Sequence, residues 1–175
     1  MSGIASSEYS AHVAAAIVGD RIVLECEAWE PPGDGFELDI RATVDRQATM
    51  LAERLRMKSM AVDKFNAKLL MQDWQQRGWP VMDFPQWPSY MKPASTALLE
   101  AVRLKRIAHN GDPVLRRHIL NMVMKDDQAG WFFSKPKDKR RKIDAGIATL
   151  MAVSQLLTGQ ANHLGVTLEA DIIKQ

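Results

Sequence analysis

The sequence predicts an α/β domain, and three patterns carry the prediction. Between Asp39 and Phe84, helical spacing alternates with short apolar runs in the order helix, strand, helix, strand, as in crossover units built on a sheet. Near the amino end, two apolar runs, His12–Val18 and Arg21–Trp29, flank the turn pair Gly19-Asp20, as in a two-stranded hairpin. Near the carboxyl end, Arg141–Leu157 repeats Ile143, Ile147, Leu150, Met151 and Ser154 at helical spacing. Ala145, Gly146, Ala148 and Ala152 keep that helix slim enough to lie against a sheet.

The elements follow in order. Met1–Ser10 is small and polar, with Gly3-Ile4-Ala5 placed to end a short strand. The alanine triplet inside His12–Val18 also tolerates helix, but Ile22, Val23, Leu24, Cys26 and Ala28 after the turn favour a strand pair. Glu30-Pro31-Pro32-Gly33-Asp34-Gly35 is a loop. From Asp39 to Leu55, the residues Ile40, Val44, Ala48, Leu51 and Leu55 share one helical face. Ser59–Val62 is a short strand that ends in Asp63, and the helix from Lys64 to about Arg77 stops on Gly78. Pro80–Phe84 is the next strand. Gln86–Met91, which bears a proline and two aromatics, reads as a loop, and Pro93–Leu104 as a helix with proline in its first turn. His109–Pro113 is a loop leading into a helix over Val114–Asn121, and Gly130–Phe133 reads as a strand remnant. Periodicity fades after Gly159, so the expected organisation is one domain over residues 1–158 and a tail over 159–175.

The totals exclude several classes. A chain of 175 residues, 46% hydrophobic and 25% charged, can bury a full core and is not disordered. A net charge of +2 names no partner, so the clustering of the basic residues matters more than their sum. One cysteine, Cys26, rules out an internal disulfide framework and a cysteine-rich zinc site, and a reducing compartment is expected. No apolar run reaches the length of a membrane span and no signal-peptide pattern is present, so a soluble, cytoplasmic protein is expected.

Asp63 and Asp144 have settings suited to chemistry. Asp63 ends a strand just before a helix, at the edge where open α/β sheets bind ligands. Asp144 lies in the first turn of the last helix, near the positive end of its dipole. Two such carboxylates brought together suit Mg²⁺ or Mn²⁺, which prefer oxygen ligands. The alternative reading is that each acid caps its own helix. Lys135, Lys137, Lys139, Arg140, Arg141 and Lys142 stand against one acid, Asp138. That run reads either as a solvated loop or as a clamp on a phosphate backbone. Trp74, Trp79, Trp87 and Trp131 offer surfaces for base stacking, or belong to the core. The histidines (His12, His109, His118, His163) lack zinc spacing and read as packing or surface residues, His109 standing out for its polar loop. No phosphate-loop or nucleophile-elbow motif is present.

Taken in order, several segments resemble the nuclease domain of the large subunit of tailed-bacteriophage terminases, the DNA-packaging enzyme. They are Ala61-Val62-Asp63-Lys64-Phe65-Asn66-Ala67, Gln86 with Pro88–Met91, and Leu98-Leu99-Glu100. The loop and helix His109–His118, Asn121, and Lys142-Ile143-Asp144-Ala145-Gly146-Ile147-Ala148 complete the set, over about Ile40 to Leu157.

The resemblance implies an RNase H-like mixed sheet flanked by helices. It also implies a metal-dependent DNA endonuclease of viral genome packaging, with carboxylates converging on two Mg²⁺ or Mn²⁺ ions held roughly 4 Å apart. By carry-over, Asp63 is the acid after the middle strand and Asp144 the acid opening the last helix. Double-stranded DNA is the implied partner, with the terminase small subunit or the portal as protein partners, and the host cytoplasm as location. The family's first strand carries a Gly-hydrophobic-Asp pattern followed closely by Ser; here the stretch is Gly3-Ile4-Ala5-Ser6-Ser7. Alanine stands where the acid that bridges both metals is expected, so impaired activity is the expectation. Glu8, Glu25 and Glu27 are the nearest candidates to replace it. A catalytically inactive module that holds DNA or a packaging protein is the alternative. The upstream ATPase half of the family is also absent, which fits a detached nuclease domain from a split gene or a prophage.

Overall fold

The computed structural model describes residues 5–6, 10–31 and 37–162. Its centre is the hairpin of β2 (Ser10–Val18) and β3 (Arg21–Trp29), paired antiparallel from Ser10 opposite Trp29 to Val18 opposite Arg21. Gly19 takes the positive φ of 62° that the two-residue turn requires. A third strand, β7 (Ile107–His109), runs parallel to β3, which makes the sheet mixed. Near the amino end, β1 (Ala5–Ser6) pairs antiparallel with β4 (Leu38–Asp39), Ala5 opposite Asp39.

A crossover unit follows. β5 (Met60–Val62) and β6 (Val81–Asp83) are parallel and joined by α2 (Lys64–Gln76). This bears out the strand–helix–strand reading, including the stop at Gly78, whose φ is +77°. Ahead of the unit, a wide helical turn at Arg41–Asp45 leads into α1 (Arg46–Arg54).

Side chains on the two faces of the strands enter different cores, as the period of two demands. Val13, Ala15 and Ile17 of β2, with Ile22 and Leu24 of β3, join one cluster. Its helical half comes from α3 (Pro88–Arg103), through Met91, Ala94, Leu98 and Ala101, and from α5 (Asp144–Asn162), through Ile147, Leu150, Met151, Val153 and Leu156. The second cluster holds Leu38, Ile40, Ala48, Leu70 and Trp74. β5 feeds both: Met60 and Val62 belong to the second cluster, while Ala61 packs against the first.

Inside the second cluster sits a charged knot. Asp45, 8% exposed, accepts from the Trp74 indole N–H at 2.7 Å and from two Arg77 nitrogens at 3.0 and 3.1 Å. Arg41 reaches its other oxygen at 3.4 Å and also bonds Asp73. Burial pushes the Asp45 carboxyl up, but donation from Arg77, Trp74 and Arg41 outweighs it and holds the group below the usual carboxylate range.

Several expectations need correction. The segment Gln86–Met91 is not all loop, because α3 begins at Pro88. Met91, Ala94, Ser95, Leu98 and Ala101 form one buried face, so the apolar stripe starts a turn before Pro93, and Pro88 takes the first-turn position. β7 lies in a stretch that carried no strand expectation. So does β8 (Val123–Asp127), which pairs with β9 (Gly130–Ser134), the expected remnant. Helix α4 (Pro113–Asn121) starts as expected, with Asp112 capping the Leu115 amide at 2.6 Å. α5 runs on to Asn162, through the start of the stretch expected to be tail.

Candidate functional site

Two neighbouring constructions make up the site. The first is the carboxyl edge of the parallel pair. Asp63 lies one residue beyond β5, and Asp83 ends β6 opposite Val62. The Phe84 amide donates to the Val62 carbonyl at 2.9 Å, which carries the ladder to the edge where Asp63 emerges. Gln86 Nε2 donates to Asp63 Oδ2 at 2.9 Å, and the Lys64 amide donates to Asp83 Oδ1 at 3.3 Å. Strand periodicity carried past β5 puts Asp63 on the face of Ala61, the face that α5 covers.

The second construction is the start of α5. Asp144 opens the helix, half-buried. The next amide, Ala145 N–H, donates to Nδ1 of His118 at 3.1 Å, and His118 is fully buried on α4. Because Nδ1 accepts, the ring is neutral and carries its proton on Nε2. Burial holds its pKa below the ordinary imidazole value, against the opposing pull of Asp144. Gly146 is what lets the two helices close. A Cβ there would stand 3.0 Å from Met122 Sδ and 3.1 Å from the His118 carbonyl oxygen.

The chain leading into α5 is bolted to the end of α4. Asn121 Nδ2 donates to the Lys142 carbonyl at 2.9 Å, while Arg141 donates to Asn121 Oδ1 at 3.3 Å and to the Leu120 carbonyl at 3.4 Å. These groups border an open cleft of about 380 Å³ lined by Glu30, Arg117, His118, Asn121, Arg140, Arg141 and Lys142. Four cations against one carboxylate make it a place for an anion. The six basic residues thus separate: Arg140, Arg141 and Lys142 border the cleft, and Lys135, Lys137 and Lys139 are exposed on the preceding loop. Arg140 is also paired with Asp138, through Nε at 3.1 Å and a second guanidinium nitrogen at 3.1 Å.

Asp63 and Asp144 therefore belong to elements in contact, on one side of the sheet. Among the described residues, no three His, Cys, Asp or Glu side chains gather as a metal ion would need. Glu25 and Glu27 do not fill the gap: they alternate with Ile22 and Leu24 and point to the face opposite α5. Glu8 lies outside the described residues. Asp39, opposite Ala5, is engaged in accepting the Arg41 and Ala42 amides at 2.9 and 3.0 Å. Asp63 and Asp144 carry the oxygen donors that a partly hydrated divalent ion takes.

Sequence reasoning missed His118, which it placed among bland packing residues, and the cations of α4, of which Arg117 borders the cleft. The signal for His118 was its spacing of three residues from Asn121, which puts both on one helical face.

Comparison with known proteins gives these features a family. No curated protein matches the chain by sequence. Among solved structures, the large terminase of bacteriophage HK97 aligns with a TM-score of 0.67 at 22% identity, over 85% of this chain. The chain spans 39% of that protein. The large terminase nuclease of thermophilic phage G20c, solved with magnesium, aligns with a TM-score of 0.56 at 12% identity over 89% of each chain. The same nuclease with cobalt gives 0.57 at 11% identity, covering 89% of each chain. These likenesses show the fold: an RNase H-like mixed sheet flanked by helices. The family described as "Terminase large subunit, endonuclease domain" matches residues 20–160, most of the chain, and the protein belongs to that family.

Proposed function

We propose that this chain is a metal-dependent DNA endonuclease module of viral genome packaging whose activity is depressed by Ala5. The observation that supports it best is that Asp63 and the start of α5 share one face of the sheet, next to a cationic cleft. Membership of the terminase endonuclease family gives that pairing its chemical meaning.

Each side chain has a task in this reading. Lys135, Lys137 and Lys139 draw in the duplex backbone, and Arg117, Arg140, Arg141 and Lys142 seat a phosphate in the cleft. Gln86 fixes the rotamer of Asp63 by donating to it. His118, neutral and buried, orients the first amides of α5 and with them Asp144. Mg²⁺ or Mn²⁺, when bound by Asp63 and Asp144, supplies positive charge that offsets the repulsion between carboxylates and phosphodiester and acidifies a water. The G20c nuclease structures with magnesium and cobalt support divalent-metal use here. Host cytoplasm is the expected location, with double-stranded DNA as partner.

The test is cleavage of supercoiled plasmid in Mn²⁺ by the wild-type chain and by Asp144→Asn. Slow nicking that disappears in the variant is expected. Nicking at an unchanged rate in Asp144→Asn would remove that residue from the site.

Ala5 favours a second reading, a catalytically silent module that holds DNA or a packaging protein such as the small subunit or the portal. Titration calorimetry with Mn²⁺ separates the two. The silent module binds at most one ion weakly and leaves plasmid intact while still binding it.

A further inference from the structure

We propose that Trp87 is a substrate-positioning residue whose indole stacks on a base exposed beside the phosphodiester held at Asp63. This rests on the DNA reading above and names which form of DNA the site prefers.

The fold sorts the tryptophans that sequence could not. Trp74 is 3% exposed, stacks on Trp79 with ring centres 5.9 Å apart, and donates to Asp45. Trp79 also lies 5.3 Å from the Arg77 guanidinium. Trp131 meets Phe133 edge-on at 5.3 Å. Trp87 is 68% exposed. Leaving an indole in water forgoes one of the largest burial gains available to a side chain.

Its backbone is as fixed as its ring is open. Trp87 is extended, at φ −80° and ψ 152°, because Pro88 follows and starts α3. Its carbonyl accepts the Tyr90 and Met91 amides, both at 2.9 Å. The residue before it, Gln86, donates to Asp63. One short frame therefore ties the ring to the carboxylate. Tyr90, 47% exposed and braced edge-on against Phe84 at 6.1 Å, borders the same surface.

An open indole face stacks on any base, so it contributes affinity without reading sequence. Bases inside an intact duplex have both faces covered. The indole therefore finds its partner where a base is uncovered: at a mismatch, a nick or a cut end. The preferred ligand is a duplex with an unpaired or terminal base, which is also the form that cleavage leaves behind.

The experiment compares two labelled, covalently closed circular duplexes, one fully paired and one with a single unpaired base, by fluorescence anisotropy in Mn²⁺, with strand integrity checked on a gel. Wild type is expected to bind the unpaired-base duplex about tenfold more tightly. Trp87→Ala should abolish that ratio while keeping its affinity for the paired duplex, and Trp87→Phe should keep most of it. A ratio near one in the wild type, or an unchanged ratio in Trp87→Ala, overturns the role of Trp87 and leaves the DNA reading standing. Failure to bind either duplex overturns both.

Discussion

Asp45 and Asp63 are the same residue type in one small fold, and their surroundings differ in kind. Asp45 is buried, and its oxygens take an indole N–H and the guanidinium groups of Arg77 and Arg41. Every one of those donors comes from the helical side of the second cluster, so the charge is neutralised by the fold itself. Asp63 sits at an open strand end, where Gln86 gives it a neutral amide donor. A neutral donor orients a carboxylate without cancelling its charge. Arg117, Arg140, Arg141 and Lys142 line the cleft before α5. One aspartate holds two helices together; the other takes a neutral amide at the end of a strand. The residue type says little, and the charge of its partner says much.

The contrast can be broken or sharpened, starting with the largest effect. Ala5→Asp restores the acid that the family's pattern calls for. Cleavage of plasmid in Mn²⁺ should rise by at least the roughly 10–100-fold that even outer-shell ligand partners command. No gain over wild type would mean that the incomplete ligand set is not what limits the chain.

Next comes the structural aspartate. Asp45→Ala leaves the Trp74 indole without its acceptor and Arg77 with only the Thr49 hydroxyl at 3.1 Å, and should lower unfolding free energy by about 2–4 kcal/mol, read from urea denaturation. The sign with pH follows from a folded pKa below the unfolded value of 3.8. The stabilisation is complete above the unfolded pKa and is lost as pH falls from there through the folded one, so Asp45→Ala should flatten the acid limb of the stability curve.

The smallest effect belongs to the loop. Replacing Lys135, Lys137 and Lys139 by alanine should leave stability within about 0.5 kcal/mol. The slope of log K against log salt for duplex binding should fall by about 2–3. An unchanged slope would place the duplex elsewhere.

The parts legible in the sequence were those where local pattern and tertiary role agree. The β2–β3 hairpin announces itself through Gly19 and Asp20 between apolar runs, and the β5–α2–β6 unit through Gly78. What escaped did so for physical reasons. β8 reads Val-Met-Lys-Asp-Asp and is exposed from Met124 onward, so the strand has no buried face of its own to impose alternation. β7 has three residues and is a strand only because β3 lies beside it. Two prolines and two aromatics hid the first turn of α3, although Met91 already marked its buried face. At the site, Asp63 and Asp144 stood out as acids at element ends. His118 did not, because nothing local tells a histidine on a helix that it will be sealed under the next one.

The bolt between Asn121 and the Arg141–Lys142 segment has a consequence for the thermodynamics of association. A nine-residue basic loop that ordered only on contact would lose about 1–2 kcal/mol of backbone entropy per residue at the moment of binding. Here the last two residues of the run are already held by hydrogen bonds to α4, so their ordering cost is met during folding. In the proposed complex with DNA, Arg141 and Lys142 would meet a phosphate on a backbone already held in place, and the exposed lysines ahead of them would track a backbone that moves.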